Sequence, residues 1–206
     1  VIGSAATRER DKFHIKKYIN NENIELADVT DDYVCLGVFG PKSRELMREI
    51  SNEDFTNENF RFGCSKNILI ENKNAWIQRL SYVGEVGYEL YIKYSESKII
   101  FNKIIEIGKK YKLSLCGAHA MDILRMESGF LHWGHDISPE ENQFEAGLNF
   151  AISFKKHFDF IGKDALLKIN KSGVKKKFIM LTLNNTKPGE PLALHYEPIY
   201  IDGKIS

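Results

Sequence analysis

The sequence predicts an α+β fold, with mostly antiparallel sheets and flanking helices. Two observations carry that expectation. Residues alternate on both sides of a glycine-bracketed turn within 80–90, which reads as strand, turn, strand, with Gly84 and Gly87 tolerating positive φ. Strand-like and helix-like stretches then follow one another in a rhythm dominated by hairpins, which favours antiparallel pairing. No G-x-G-x-x-G follows a strand and no Walker loop is present, so the chain carries no dinucleotide or nucleotide-phosphate signature of its own.

Residues 10–19 mix charged with apolar positions (Phe13, Ile15, Tyr18, Ile19) and read as a helix ending near Asn20 and Asn21. Tyr33–Phe39 is a continuous apolar run, a buried strand, followed by Gly40 and by Pro41, which suits a first helical turn. Leu46, Met47 and Ile50 then face a core, and residues 67–70 and 75–82 read as strands leading into the hairpin. Ser95 is a suitable N-cap for an amphipathic helix carrying Ile100, Ile104, Ile107 and Tyr111 on its inner face, flanked by Phe101 and Ile105. A second helix runs over 118–127 with Ala120, Ile123 and Leu124 inward and Gly129 as its cap. Residues 148–154 read as a strand, 162–169 as a short helix and 178–183 as a strand. Ile199, Tyr200 and Ile201 lead into Asp202 and Gly203, a hairpin turn signal.

Composition bounds the function. The chain has 206 residues, 43% hydrophobic and 28% charged, which is ordinary globular usage. A net charge of +1 gives no strong pull towards nucleic acid or an anionic membrane, and the Lys175–Lys177 run reads as a solvated strand entry. No apolar stretch is long enough to cross a bilayer, and no signal-peptide pattern opens the chain. Cys35, Cys64 and Cys116 are odd in number and far apart, so neither a disulfide framework nor a zinc knuckle is expected. Reduced thiols point to a cytoplasmic setting, although an organelle matrix would look the same. Val1 and Ile2 enter as the tail of an apolar run, and the last hairpin has a short return arm, so a fragment of a longer polypeptide is expected. The composition shift around 170–177 is the best domain boundary, giving units 1–172 and 173–206.

The chemistry-bearing residues are few. Glu89 lies in a strand otherwise apolar and aromatic, between Tyr88 and Leu90. It is either a solvent-facing residue of an alternating strand or a carboxylate aimed into a cleft to accept two parallel N–H bonds from a planar ligand. Arg125 and Glu127 share a helix with Asp122, an ion-pair partner three residues from Arg125. His132, Trp133, Gly134, His135 and Asp136 suggest metal binding, but Gly134 interrupts the helix and no further His or Cys cluster completes a ligand set; no metal is expected. His14, His119, His157 and His195 have no nucleophile or acid partner at an informative spacing.

These segments resemble one family. Ser81, Tyr82, Val83, Gly84, Glu85, Val86, Gly87, Tyr88, Glu89 resembles the Y-T-G-E-x-G-[FYW]-E signature of the folate-binding aminomethyltransferases, the glycine-cleavage T-protein family. Ala120 to Glu127 is similar to its A-R-D-x-L-R-L-E helix. Trp133 to Ile137 with Phe144 to Leu148, and then Phe160 to Leu166, are similar to its Y-G-x-D-[IM]…P-x-E-[AV]-G-L and D-F-[IV]-G-K-x-A-L segments, in the same order over roughly 1–185. Met121 stands where the T-protein has a folate-contacting Arg, so that contact is not carried over. An Ala-Met pair here, together with Gly3, Ser4 and the Trp133 to Pro139 segment, is most similar to the C-terminal folate module of FAD-dependent dimethylglycine and sarcosine dehydrogenases.

The resemblance implies a T-protein-like folate-binding fold over 1–172 and the start of a C-terminal β-barrel domain over 173–206. It implies that Glu89 accepts hydrogen bonds from the N–H groups of tetrahydrofolate's pterin ring and that Tyr82 packs against or bonds that ring. It places the catalytic Asp slightly before Val1 and FAD on an upstream domain, so no catalytic residue is assigned here and the fragment alone is expected to be inactive. The implied function is capture of a one-carbon unit from an N-methylated amine as 5,10-methylene-tetrahydrofolate. Two alternatives stay open. One is a stand-alone aminomethyltransferase or methyltransferase, T-protein-like or similar to dimethylsulfoniopropionate demethylase. The other is a non-catalytic folate binder, whose K-G-C-Y-x-G-Q segment is not found in the sequence. Neither nucleic acid nor membrane is an expected partner.

Overall fold

The computed structural model describes residues 1–19, 23–190 and 197–205, and they fall into two compact units, Val1–Leu131 and His132–Ser206. The first helix ends at Tyr18, and Asn20 and Asn21, near which its end is expected, lie with His195 outside the described residues. No helix among the described residues is long and apolar enough to cross a membrane.

The first unit is built on a four-stranded antiparallel sheet in the order β1-β4-β3-β2. Its strands are β1 (Tyr33–Phe39), β2 (Ser65–Ile70), β3 (Lys73–Gln78) and β4 (Gly87–Lys93). Helices α1 (Arg8–Tyr18), α2 (Ser43–Ile50), α3 (Tyr94–Gly108) and α4 (Ala118–Glu127) accompany it. Period-2 alternation gives the sheet one apolar face. Val38, Ile68, Ile70, Ala75, Ile77, Tyr88, Leu90 and Ile92 are buried there with Leu46, Met47 and Ile50 of α2 and Ile100 and Ile104 of α3. Fully burying one such aliphatic side chain is worth about 1.5–3 kcal/mol, so this layer dominates the unit's stability. At one end Phe55, Phe60 and Tyr88 form a ring cluster, with centroids 5.2 Å apart for Phe55–Tyr88 and 5.9 Å for Phe60–Tyr88. The Lys66 ammonium caps both phenylalanine rings, 5.1 Å and 4.8 Å from their centroids.

Several expectations are corrected. β3 ends at Gln78 rather than continuing to 82, because Leu80 and the residues after it leave the ladder to form the loop 79–86. Gly87 is not in the turn. It is the first residue of β4, and only Gly84 of the pair has positive φ (75°). Ser95 is not the N-cap, since α3 starts at Tyr94 directly from the end of β4. Ala120, Ile123 and Leu124 are exposed, and the only buried side chain of α4 is Arg125. Gly129 does close α4, at φ 72°: its N–H donates to the Met126 carbonyl and the Phe130 N–H to the Arg125 carbonyl, a Schellman closure.

The second unit holds α5 (Lys163–Ser172) and the hairpin of β5 (Tyr200–Ile201) and β6 (Lys204–Ile205). Asp202 and Gly203 turn that hairpin with φ of 50° and 77°, as the Asp-Gly pair requires. Residues 148–154 form no strand; a short 3-10 turn, Asn149–Ala151, follows Gly147 instead. Residues 178–183 form no strand either. A strand needs a ladder, and the Phe178 N–H donates to the Glu145 carbonyl outside any sheet.

Candidate functional site

Glu89 projects from the second face of the sheet, opposite the core. Its flanking residues Tyr88 and Leu90 are fully buried, while Glu89 is half-buried. The register puts Gly37 of β1 and Gln78 of β3 on either side of Glu89. The next row of that face is Cys35, Tyr91 and Trp76.

Aromatic side chains occupy neighbouring positions of this face. Gly37 and Gly87 leave room for the Phe39 ring, and a Cβ on either glycine would stand 2.5 Å or less from that ring. On the other side Tyr91 and Trp76 are in ring contact, centroids 5.0 Å apart at 42°. The Tyr91 hydroxyl donates to Glu89 Oε2 at 2.6 Å. Burial, then this bond to a carboxylate, pushes the Tyr91 phenol well above the usual tyrosine range. The Cys35 thiol is also pushed up, by burial first and then by the Glu89 charge. An acceptor-only group among flat side chains on an open face fits a planar ligand that presents N–H donors.

Tyr82 is half-buried in loop 79–86 and belongs to a different junction. Its hydroxyl donates to the Leu131 carbonyl at 2.9 Å, and its ring stacks on Phe130 at 6.0 Å and 18°. Gly84 adds a third point, since a Cβ there would sit 2.0 Å from Ser128 Oγ and 2.9 Å from Ser128 Cβ. The signature loop and the end of α4 are thus joined in space. Arg125, 1% exposed, stiffens that end: Nε donates to Asp122 Oδ1 at 2.7 Å and Nη1 to the Phe130 carbonyl at 3.0 Å. The expected pairing of Arg125 with Asp122 holds, and it serves the loop that seats Tyr82. Two surface grooves, one lined by Val34, Leu36, Ser97, Lys98 and Phe101 and one in the second unit, contain neither Glu89 nor Tyr82.

Tyr91, Trp76, Gln78 and Phe39 were not singled out by the sequence. Tyr91 was within reach, because a residue two along a strand shares its face. The others depend on cross-strand register.

In the second unit, the residues from His132 to Ile137 make a compact turn. Asp136 Oδ2 accepts the His132 N–H at 2.8 Å, Asp136 Oδ1 lies 3.0 Å from His135 Nδ1, and the two imidazoles stack at 5.6 Å. Among the described residues no group of three His, Cys, Asp or Glu side chains is placed to hold a metal. Nearby, Lys176, then the Ser138 hydroxyl and N–H, hold the Glu141 carboxyl down to about 2. A lowered folded value means that this tie stabilises the unit above the ordinary glutamate range of about 4.3 and is lost as pH falls through about 2. An NMR titration is expected to put the Glu141 midpoint near about 2. A midpoint in the ordinary range would mean that the bridge is not formed in solution.

The fold is similar to the crystal structure of glycine cleavage system aminomethyltransferase T from Bartonella henselae, with a TM-score of 0.67 and 22% identity over 82% of this chain and 45% of that one. The class is therefore the aminomethyltransferase T-type fold, as the motifs implied. A family model described as GCVT N-terminal domain matches residues 1–156, and the chain belongs to that family. Among curated relatives, it is 36% identical over 203 residues to the 4-methylaminobutanoate oxidase (formaldehyde-forming) of Paenarthrobacter nicotinovorans, covering 98% of this chain and 24% of the relative. It is 32% identical to human mitochondrial dimethylglycine dehydrogenase, covering 97% of this chain and 23% of the relative. It is 33% identical to an aminomethyltransferase of Thermoanaerobacter sp., covering 87% of this chain and 48% of the relative. The chain spans about a quarter of the length of the first two and about half of the third.

Proposed function

We propose that the chain is the tetrahydrofolate-binding part of a flavin-dependent dehydrogenase for an N-methylated amine of the dimethylglycine or sarcosine type. Its product would be 5,10-methylene-tetrahydrofolate. The observation that carries this reading is the half-buried Glu89 carboxylate on an open sheet face with aromatic neighbours, its Oε2 bonded by Tyr91 and its Oε1 left to meet incoming donors. The pterin edge of tetrahydrofolate offers adjacent N–H donors, and a carboxylate is the matching acceptor; each charge-assisted bond is worth about 1.5–3 kcal/mol. Bound there, tetrahydrofolate would supply a nucleophilic nitrogen for a one-carbon unit. Glu89 would orient the ring, while Phe39, Tyr91 and Trp76 would keep water from its faces. Tyr82 would contribute through the edge of its ring, its hydroxyl being bound to the Leu131 carbonyl.

The dimethylglycine dehydrogenase and 4-methylaminobutanoate oxidase relatives support the flavin-coupled reading, with FAD on a domain outside this chain. The aminomethyltransferase relatives favour the second reading, a stand-alone folate-dependent transferase. The proposal includes a folate module over 1–172, the start of a C-terminal β-barrel over 173–206, and a cytoplasmic location. Calorimetry of the full-length protein is expected to detect tetrahydrofolate binding, and absence of binding would overturn the reading. The 206 residues alone are expected to show no turnover of an N-methylated amine, and measurable turnover would contradict the need for a separate amine-oxidising domain.

A further inference from the structure

We propose that Tyr91 is the positioning residue for Glu89, fixing the direction of its carboxylate through a hydroxyl hydrogen bond before ligand arrives. The inference rests on the reading of Glu89 as a ligand-binding carboxylate and goes beyond it by naming what holds that carboxylate. A glutamate on an open sheet face has three free torsions, and a ligand that must order them binds less tightly. Here the Tyr91 hydroxyl donates to Oε2 at 2.6 Å. That bond is on Oε2, which leaves Oε1 to meet incoming donors.

Tyr91 can serve as a fixed post because it is itself held. It belongs to β4, two residues beyond Glu89 on the same face, and its backbone is paired on both sides, with Cys35 of β1 and Trp76 of β3. The Trp76 ring rests against it at 5.0 Å. No cationic side chain is bonded to Glu89 among the described residues, so the hydroxyl orients the carboxylate without neutralising it. A lysine or arginine in its place would hold the group equally well but would spend the charge that strengthens bonds to a ligand.

The test is a double-mutant cycle on the full-length protein, with tetrahydrofolate dissociation constants read by calorimetry and melting temperatures recorded for each variant. Tyr91→Phe keeps the ring and removes the hydroxyl, and it is expected to weaken binding about fivefold in the native background. In a Glu89→Ala background the same change is expected to alter binding by less than about twofold, because nothing is left to position. A purely structural role would give the same loss in both backgrounds, and that result overturns the proposal, as does an unchanged affinity for Tyr91→Phe alone. If Glu89→Ala itself binds like the native protein, the reading of Glu89 falls and this inference with it. If Tyr91→Phe does not fold, Tyr91→Met runs the same cycle with the same expected outcomes.

Discussion

Glu89→Gln is expected to weaken tetrahydrofolate binding at least tenfold. The substitution preserves size and shape, so the sheet should be undisturbed. It removes the negative charge and turns one of two acceptor oxygens into an NH2 donor. Two donors would then face each other across the contact, and one charge-assisted bond would be lost outright. That loss alone is about 1.5–3 kcal/mol, and about 1.4 kcal/mol already corresponds to a tenfold change in affinity. Calorimetry on the full-length protein checks it, and equal affinity would remove Glu89 from the site. The side chain lies on the solvent face of β4, so its melting temperature should stay near that of the native protein.

The second large effect concerns stability. Gly84→Ala is expected to destabilise the first unit by about 2–5 kcal/mol, in two parts. The backbone at this position has φ 75°, where a Cβ costs about 1–2 kcal/mol. The new methyl would also stand 2.0 Å from Ser128 Oγ and 2.9 Å from Ser128 Cβ. Rotating the serine hydroxyl relieves the first contact and not the second, so the loop must lift from the end of α4, at about 1–3 kcal/mol for overpacking. Urea unfolding measures the loss, and a Ser128→Gly partner should recover the steric part while leaving the backbone part. A neutral Gly84→Ala would mean that the loop does not rest on α4. Both Tyr82 contacts lie in the same junction, so lifting the loop would release that tyrosine as well.

Much of the first unit was legible from alternation. β1 and α4 have the expected bounds, although β1 is an edge strand with only Val38 buried rather than a buried strand, and Leu46, Met47, Ile50, Ile100 and Ile104 face the core as their spacing required. What covers a helix face or completes a strand's ladder lies elsewhere in the chain. Periodicity states which residues of α4 share a face but not whether anything covers it, and Ala120, Ile123 and Leu124 are exposed while Arg125 is buried. Apolar runs at 148–154 and 178–183 looked like strands, yet a run becomes a strand only where another backbone can complete its ladder. For the site, the acceptor itself could be read from the chain, because a carboxylate amid apolar strand residues is conspicuous. Its surroundings could not: Gln78 and Gly37 meet Glu89 through register, and Phe39 reaches Gly37 and Gly87 only because neither carries a side chain.

The alternation of β4 has one more consequence. Tyr88 and Leu90, wedged into the hydrophobic interior, bracket Glu89 on the outside. Sliding this strand by a single position would drive a charge into oil and push a large aromatic into water, so the strand is locked in place by the very packing that holds the protein together. The site thus borrows its precision from the interior behind it, and substitutions deep beneath the sheet can blur recognition without touching any group that meets the ligand.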